Sequence, residues 1–140
     1  MGVSIEGVRT PVSRRRVSDI TRAVFRSERA NHALVSVAFV TAHAIRALNR
    51  RHLRRDRETD VIAFAHRQPG RGAPLIADIY VAPDVARRNA RRNGVSAREE
   101  TIRVVVHGAL HALGHDHPAR NRERSPMWRR QERLVQRSLR

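Results

Sequence analysis

The sequence predicts a single domain of the α+β class, in which a small mixed sheet of about four strands packs with about five helices. Short runs of β-branched residues alternate along the chain with longer segments whose apolar residues recur at helical spacing. A chain of 140 residues is long enough to bury a core without covalent cross-links, and this one has no cysteine. We therefore expect residues 1–140 to form one domain without disulfides, thiolate catalysis or cysteine-based metal sites.

Four segments have the apolar, β-branched composition of strands. The first is interrupted by Gly7 and Pro11, which weaken a strand. Between the third and the fourth, the segment from His66 to Pro74 contains two glycines and two prolines and is predicted to be a loop. The predicted strands are Val3–Val12, Leu34–Val40, Val61–Ala65 and Leu75–Val81.

Five segments show the start or stop signals of helices. Serine, threonine and proline stand where helices begin, and glycine stands where two of them end. Ser96 and Glu99 form a capping box, because the serine and the glutamate are three residues apart. The predicted helices begin at Ser18–Asp19, Thr41, Pro83, Ser96 and Pro126, and the third and fourth end near Asn93–Gly94 and at Leu113, before Gly114.

The whole chain is strongly basic. It has 29 arginines and no lysine, against 13 acidic residues, which gives a formal net charge of +16. The arginines are spread over both halves of the chain, so they do not form a detachable tail. Two interpretations are open: an ordinary solvated surface, or a face that binds a polyanion such as RNA, whose phosphates suit the planar guanidinium group.

The apolar segments are all too short to cross a membrane. None approaches the ~18 consecutive apolar residues that a transmembrane helix needs, and the N-terminus has no apolar signal segment. We therefore expect a cytoplasmic protein with no membrane partner.

A cluster of histidines lies between positions 107 and 117. His107 and His111 are four residues apart on the predicted fourth helix, so their imidazoles project from one face. Gly114 ends that helix and turns the chain, which brings His115 or His117 towards the same face. A lone pair at this spacing is more often surface decoration, but three imidazoles and a water molecule form a tetrahedral zinc site. The spacing predicts such a site without choosing between His115 and His117.

Two chemical alternatives bear on this cluster. Imidazole also binds nickel, copper and iron, so the ligand type favours zinc without excluding those metals. Gly108 follows the first histidine, where the H-E-x-x-H motif of zinc peptidases has its catalytic glutamate. The sequence therefore argues against a peptidase mechanism. Glycine inside a helix costs ~1 kcal/mol relative to alanine, so we expect close packing of Gly108 against the site to offset that loss.

The segment from His107 to His117, HGALHALGHDH, resembles the H-G-x-L-H-L-x-G-Y-D-H signature of the YbeY family of bacterial endoribonucleases and rRNA maturation factors. Three upstream segments also resemble that family, whose corresponding motifs are L-N…D, T-D-V-L-S-F and G-D-I. In this chain they are Leu48-Asn49 with Asp56, Thr59 to Phe64, and Asp78-Ile79.

The resemblance implies one zinc ion per chain, held by His107, His111 and His117, with His115 in the place of the family's tyrosine. It implies a zinc-dependent endoribonuclease that is specific for single-stranded RNA and acts in rRNA maturation at the 3′ end of 16S rRNA and in ribosome quality control. The implied partners are rRNA and proteins of the small ribosomal subunit, and no DNA is expected. The alternative is a non-catalytic, zinc-containing ribosome-assembly factor that binds RNA.

One functional residue of the family pattern has no match here. The pattern L-N-x-x-Y-R-x-K-D places its functional arginine at Leu53 of this chain. Either Arg51 or Arg54 takes over that role, or the protein handles RNA less efficiently. We favour Arg54, because it is next to the vacant position.

Two other residues have two candidate roles each. Asp116 stands between two histidines, where it either orients a ligand imidazole or caps the turn. Arg103 lies on the same helical stripe as His107, where it either reaches towards the site or pairs with Glu100. A cation close to the metal would stabilise the negative charge that develops at the phosphorus of a substrate.

Overall fold

Four strands and five α-helices make up the computed structural model, which describes residues 1–140. The strands are β1 (Gly2–Gly7), β2 (Ala33–Phe39), β3 (Val61–Arg67) and β4 (Leu75–Val81). The helices are α1 (Arg14–Ser27), α2 (Ala42–Leu53), α3 (Pro83–Asn93), α4 (Ala97–Ala112) and α5 (Pro126–Leu139), with a short 3-10 helix, Arg122–Arg124, before α5. The predicted fold class is confirmed. None of the helices combines the length and the apolar character that crossing a bilayer requires.

The four strands form one mixed sheet in the order β1-β2-β4-β3. Strands β1, β2 and β4 run parallel to one another, and β1 reaches β2 through the crossover helix α1. Strand β3 runs antiparallel to β4, with Val61 opposite Val81 and Arg67 opposite Leu75. Strands β3 and β4 are therefore the two arms of a hairpin at one edge of the sheet.

Different helices cover the two faces of the sheet. On one face α1 and α4 share the main core, in which Phe25, Ile79 and Leu110 are fully buried. On the other face lies α2, where Ile45 and Ile62 belong to a smaller cluster. Because side chains alternate along each strand, the same strands supply both clusters. Helix α4 is thus held between the sheet and α5, which packs on its outer side.

Helix α4 approaches the sheet most closely at Gly108. A Cβ atom at this position would lie 2.8 Å from Cγ2 of Ile79 and 2.8 Å from Cγ2 of Val61. Both neighbours are β-branched, so their side chains have little freedom to move away. Close packing is present at Gly108, but it is against the sheet and not against the histidine site, and it sets the height of the histidine-bearing helix above β3 and β4.

Helix α1 starts one turn earlier than predicted. It begins at Arg14, because Ser13 is its N-cap and accepts a hydrogen bond from the N–H of Arg16 at 3.1 Å. The prediction of a start at Ser18–Asp19 was wrong. The first turn consists of three consecutive arginines, so the sequence shows no apolar periodicity there, although Val17 is already buried in the core.

Two strand ends also differ from the prediction. Strand β1 ends at Gly7 and not at Val12, and the last bond to its neighbour joins the N–H of Val8 to the carbonyl of Phe39 at 2.9 Å. Val12 lies beyond a turn and is buried in the core. Strand β3 continues to Arg67, because its pairing with β4 extends two residues into the predicted loop.

Candidate metal centre

Three imidazoles converge at the C-terminal end of α4. His107 and His111 lie one turn apart on the helix, and His117 lies on the loop that follows it. One ring nitrogen from each of the three lies within 4.8 Å of the others, and the ring centroids are 4.5 to 5.2 Å apart. The turn at Gly114, with a φ of 96°, directs the chain back towards the helix. This group could hold a metal ion.

Every imidazole of the triad uses its Nδ1 atom to bond to an oxygen of the protein. His107 bonds to Oε1 of Gln131 at 2.6 Å, His111 to the carbonyl of His115 at 3.0 Å, and His117 to the carbonyl of Pro118 at 3.1 Å. Since carbonyl oxygens only accept, each Nδ1 carries the hydrogen and donates. The lone pair of each ring is therefore at Nε2, where it is free to bind a metal.

The protonation state of the triad also suits a metal. Burial lowers the pKa of His107 to about 4 and lowers the pKa of His111 as well. Both rings are therefore neutral at pH 7, which is the form that coordinates a cation. Three imidazole nitrogen donors whose tautomers are fixed by hydrogen bonds are the donor set of an open zinc site, so the residues present fit zinc.

His115 and Asp116 have other contacts. The side chain of His115 pairs with Glu28, which also binds Arg130 at 2.8 Å. The carboxylate of Asp116 accepts a hydrogen bond from the backbone N–H of His117 at 2.8 Å. This contact of Asp116 is with the turn itself, and the third histidine of the group is His117.

Arg103 is engaged by acids. It binds Glu99 at 3.0 Å, Glu100 at 3.1 Å and Glu132 at 2.9 Å. The hydrogen bond with Glu132 raises the pKa of Arg103 above its usual range, so this side chain stays charged. The pairing alternative holds for Arg103, which is linked to His107 through Glu132 and Gln131.

Gln131 is a site residue that the sequence analysis missed. It lies on the buried stripe of α5 with Met127, Leu134 and Val135, and its exposed fraction is 1%. Its Nε2 donates to Glu132 at 3.1 Å, which leaves Oε1 directed at His107. A polar residue on an otherwise apolar helical stripe indicates a buried polar contact, but this signal does not identify His107 as the partner.

A polar cavity of about 420 Å³ adjoins His107. Helices α3, α4 and α5 and the 3-10 helix contribute to its walls, which include Asp60, Trp128 and the exposed Arg122. Burial raises the pKa of Asp60, whose carboxylate accepts a hydrogen bond from Asn89 at 3.5 Å. The charge of Arg122 acts on both Asp60 and His107, so Arg122 is the second site residue that the sequence analysis missed.

The first part of the segment after α2, residues 54–59, does not line this cavity. Leu53 is the last residue of α2, and Arg54 follows in the left-handed region with a φ of 56°. The side chain of Arg54 is exposed and makes no hydrogen bond or ion pair with the protein. Asn49 fixes the shape of this segment, because its Nδ2 donates to the carbonyl of Arg57 at 3.0 Å.

The sequence and the fold both match known proteins. The family model described as Endoribonuclease YbeY matches residues 5–138. A solution structure of a protein from Thermotoga maritima has a TM-score of 0.65 and 25% identity, and the match covers 97% of this chain and 88% of that one.

Curated relatives with the name Endoribonuclease YbeY differ in how much of their length is matched. The Aquifex aeolicus protein is 37% identical over 87 residues, which are 62% of this chain and 58% of the relative. The Thermus thermophilus protein is 40% identical over 85 residues, 59% of this chain and 61% of the relative. The match thus spans about three-fifths of these relatives. The Geobacillus thermodenitrificans protein is 36% identical over 114 residues, 75% of this chain and 72% of the relative. Since the family model extends over nearly all of the residues that form the sheet, its helices and the histidine group, the chain belongs to the YbeY family.

Proposed function

We propose that this chain is a metal-dependent endoribonuclease that hydrolyses phosphodiester bonds of single-stranded RNA, with one zinc ion held by His107, His111 and His117. The observation that carries the proposal is the geometry of the triad, in which each Nδ1 donates to the protein and each Nε2 is free. The family name and the names of the relatives give the reaction class.

A bound zinc ion would supply Lewis acidity to a phosphoryl oxygen and would lower the pKa of a water molecule towards neutrality. The residues of this chain would hold that ion and keep its ligand side chains in place. Gln131, through its bond to His107, keeps one ligand ring in place, and Asp116 holds the turn that carries His117. Gly108 offers no carboxylate next to the first ligand, so α4 supplies no general base of the peptidase type.

We propose that an arginine stabilises the charge that develops at phosphorus. Arg54 is the candidate from the sequence, and its exposed, unpaired side chain is available to a phosphate. Arg122 is the candidate from the cavity, because it lines the same space as His107. Loss of one such donor typically lowers the rate by ~10²–10³-fold.

We propose that the substrate in the cell is rRNA, at the 3′ end of 16S rRNA, in the cytoplasm, with proteins of the small ribosomal subunit as further partners. The support is the resemblance of the histidine segment to the family signature, together with the net charge of +16, which favours a polyanion.

The test combines metal analysis with cleavage assays on single-stranded and duplex RNA. We expect about one zinc per chain, cleavage of the single strand, and loss of cleavage on chelation while the fold is retained. Chelation that unfolds the protein, with RNA still bound by the protein that remains folded, would instead support the non-catalytic assembly factor. Metal-free protein that cleaves RNA at the same rate would contradict the proposal.

The arginine is tested separately. We expect Arg54→Ala to lower the rate of cleavage by ~10²-fold, with zinc content and melting temperature unchanged, and Leu53→Arg to give little gain. Arg55→Ala is the matched control, since Arg55 is an exposed neighbour in the same segment. If Arg122→Ala lowers the rate and Arg54→Ala does not, the cation is Arg122. A large gain from Leu53→Arg with Arg54→Ala silent would show that the natural chain lacks this group.

A further inference from the structure

Helix α5 carries a row of exposed arginines on one side. Spacings of four and three residues place side chains on the same face of a helix. None of the four arginines in this row makes a side-chain hydrogen bond or an ion pair, and all are exposed. We call the row the α5 arginine stripe; it consists of Arg129, Arg133, Arg137 and the C-cap residue Arg140.

The stripe has no acid of its own to neutralise it. The acid on this side of the helix is Glu132, and Arg103 already binds it at 2.9 Å. Elsewhere acids do offset helical arginines, as Asp56 does for Arg46 at 2.8 Å. Like charges one turn apart destabilise a helix, so an anionic partner along this face would relieve the repulsion.

The stripe is continuous with the cavity beside His107. Trp128 and Glu132 line both the cavity and the shallow surface depression that the stripe borders. Trp128 is half-buried and lines both surfaces. Aromatic rings in such positions stack on nucleobases without regard to base identity.

We propose that the α5 arginine stripe binds the phosphates of single-stranded RNA next to the bond that is cleaved, with Trp128 stacking on a base between the stripe and His107. This inference rests on the proposed function. Successive arginines of the stripe are ~6 Å apart along the helix axis, a spacing that lets each one meet a different phosphate of an extended strand. A single strand follows the row more easily than a stiff duplex does.

The experiment measures kcat and KM for two single-stranded RNA substrates, of roughly 5 and 15 nucleotides, at several salt concentrations. The test variant is the zinc-loaded double variant Arg133→Gln/Arg137→Gln. The matched control is Arg71→Gln/Arg98→Gln, which removes the same charge from exposed, unpaired arginines that line neither the cavity nor the depression. Melting temperatures confirm that all three proteins are folded.

For the long substrate at low salt, we expect the stripe variant to raise KM about tenfold with kcat unchanged. The slope of log(kcat/KM) against log salt should become shallower by about 1.4, because each phosphate contact on a single strand contributes about 0.7. The short substrate and the control variant should show little change.

Three outcomes would overturn the inference while the nuclease activity stands. They are equal effects of the two double variants, an unchanged KM for the long substrate, and the same rise in KM for the short substrate as for the long one. A wild-type protein that cleaves neither RNA would overturn the proposed function, and the inference with it.

Discussion

The orientation of His107 depends on a chain of polar side chains that mutation can interrupt. Oε1 of Gln131 lies 2.6 Å from Nδ1 of His107, and Nε2 of Gln131 donates to Glu132 at 3.1 Å. Glu132 is in turn bound by Arg103 at 2.9 Å. Hydrogen-bond partners of this kind fix the tautomer and the direction of a ligand ring, and they adjust metal affinity.

We expect Gln131→Leu to lower the affinity for zinc by about 10–100-fold. Leucine suits the buried stripe of α5, but it leaves the Nδ1–H of His107 without an acceptor, so the ring is no longer held. Competition with a chelator of known affinity measures the change. Gln136→Leu is the control, because Gln136 is an exposed glutamine on the same helix. Equal zinc affinities of the two variants would show that Gln131 does not orient the ligand.

The carboxyl group of Asp60 makes the stability of the fold depend on pH. Burial raises the pKa of its carboxyl above its ordinary value, so the folded chain holds this proton more tightly than the unfolded chain does. The stability from this group is present at low pH and is lost as pH rises through the folded pKa.

We therefore expect Asp60→Asn to raise the melting temperature at pH 7 by roughly 2–5 °C. At a pH below the pKa of this carboxyl in the unfolded chain, we expect the melting temperature to be nearly unchanged. Thermal unfolding at the two pH values measures this difference. Asp84→Asn, at an exposed acid, should not show it. A lower melting temperature for Asp60→Asn at pH 7 would mean that the charged form is stabilised.

Among the elements, α4 links the core to the metal centre. Ser96 caps its start by accepting a hydrogen bond from the N–H of Glu99 at 3.0 Å, which is one half of the predicted capping box. The side chain of Glu99 binds Arg103 at 3.0 Å and not the N–H of Ser96. Its buried face packs on β3 and β4, and its other side carries His107 and His111. The position of these two histidines therefore depends on how closely the helix approaches the sheet at Gly108.

We expect Gly108→Ala to lower the free energy of unfolding by about 1–3 kcal/mol, although alanine is the better helix former. The added methyl group would overlap the Cγ2 atoms of Val61 and Ile79. The double variant Val61→Ala/Gly108→Ala removes the overlap with Cγ2 of Val61. The losses of unfolding free energy in the two single variants should therefore sum to more than the loss in the double variant. Urea unfolding of the four proteins measures the coupling, and strictly additive losses would contradict the overlap.

For the molecule as a whole, the sequence predicted those features that depend on short-range patterns. Helical spacing placed His107 and His111 on one face, and the family resemblance selected His117, which the structure brings to the same group. Gln131 could not be placed in this way, because it reaches His107 from 24 residues further along the chain. That contact exists only when α5 packs on α4, so it depends on tertiary structure.

In the proposed function, zinc held by His107, His111 and His117 makes RNA hydrolysis possible. The most direct measurement is the rate of single-stranded RNA cleavage as zinc is added to metal-free wild-type, His117→Ala and His115→Ala proteins. We expect the wild-type rate to rise and saturate at about one equivalent, His115→Ala to behave similarly, and His117→Ala to show no saturable rise. A wild-type rate that does not depend on zinc, or identical titrations for the two variants, would contradict the proposed function.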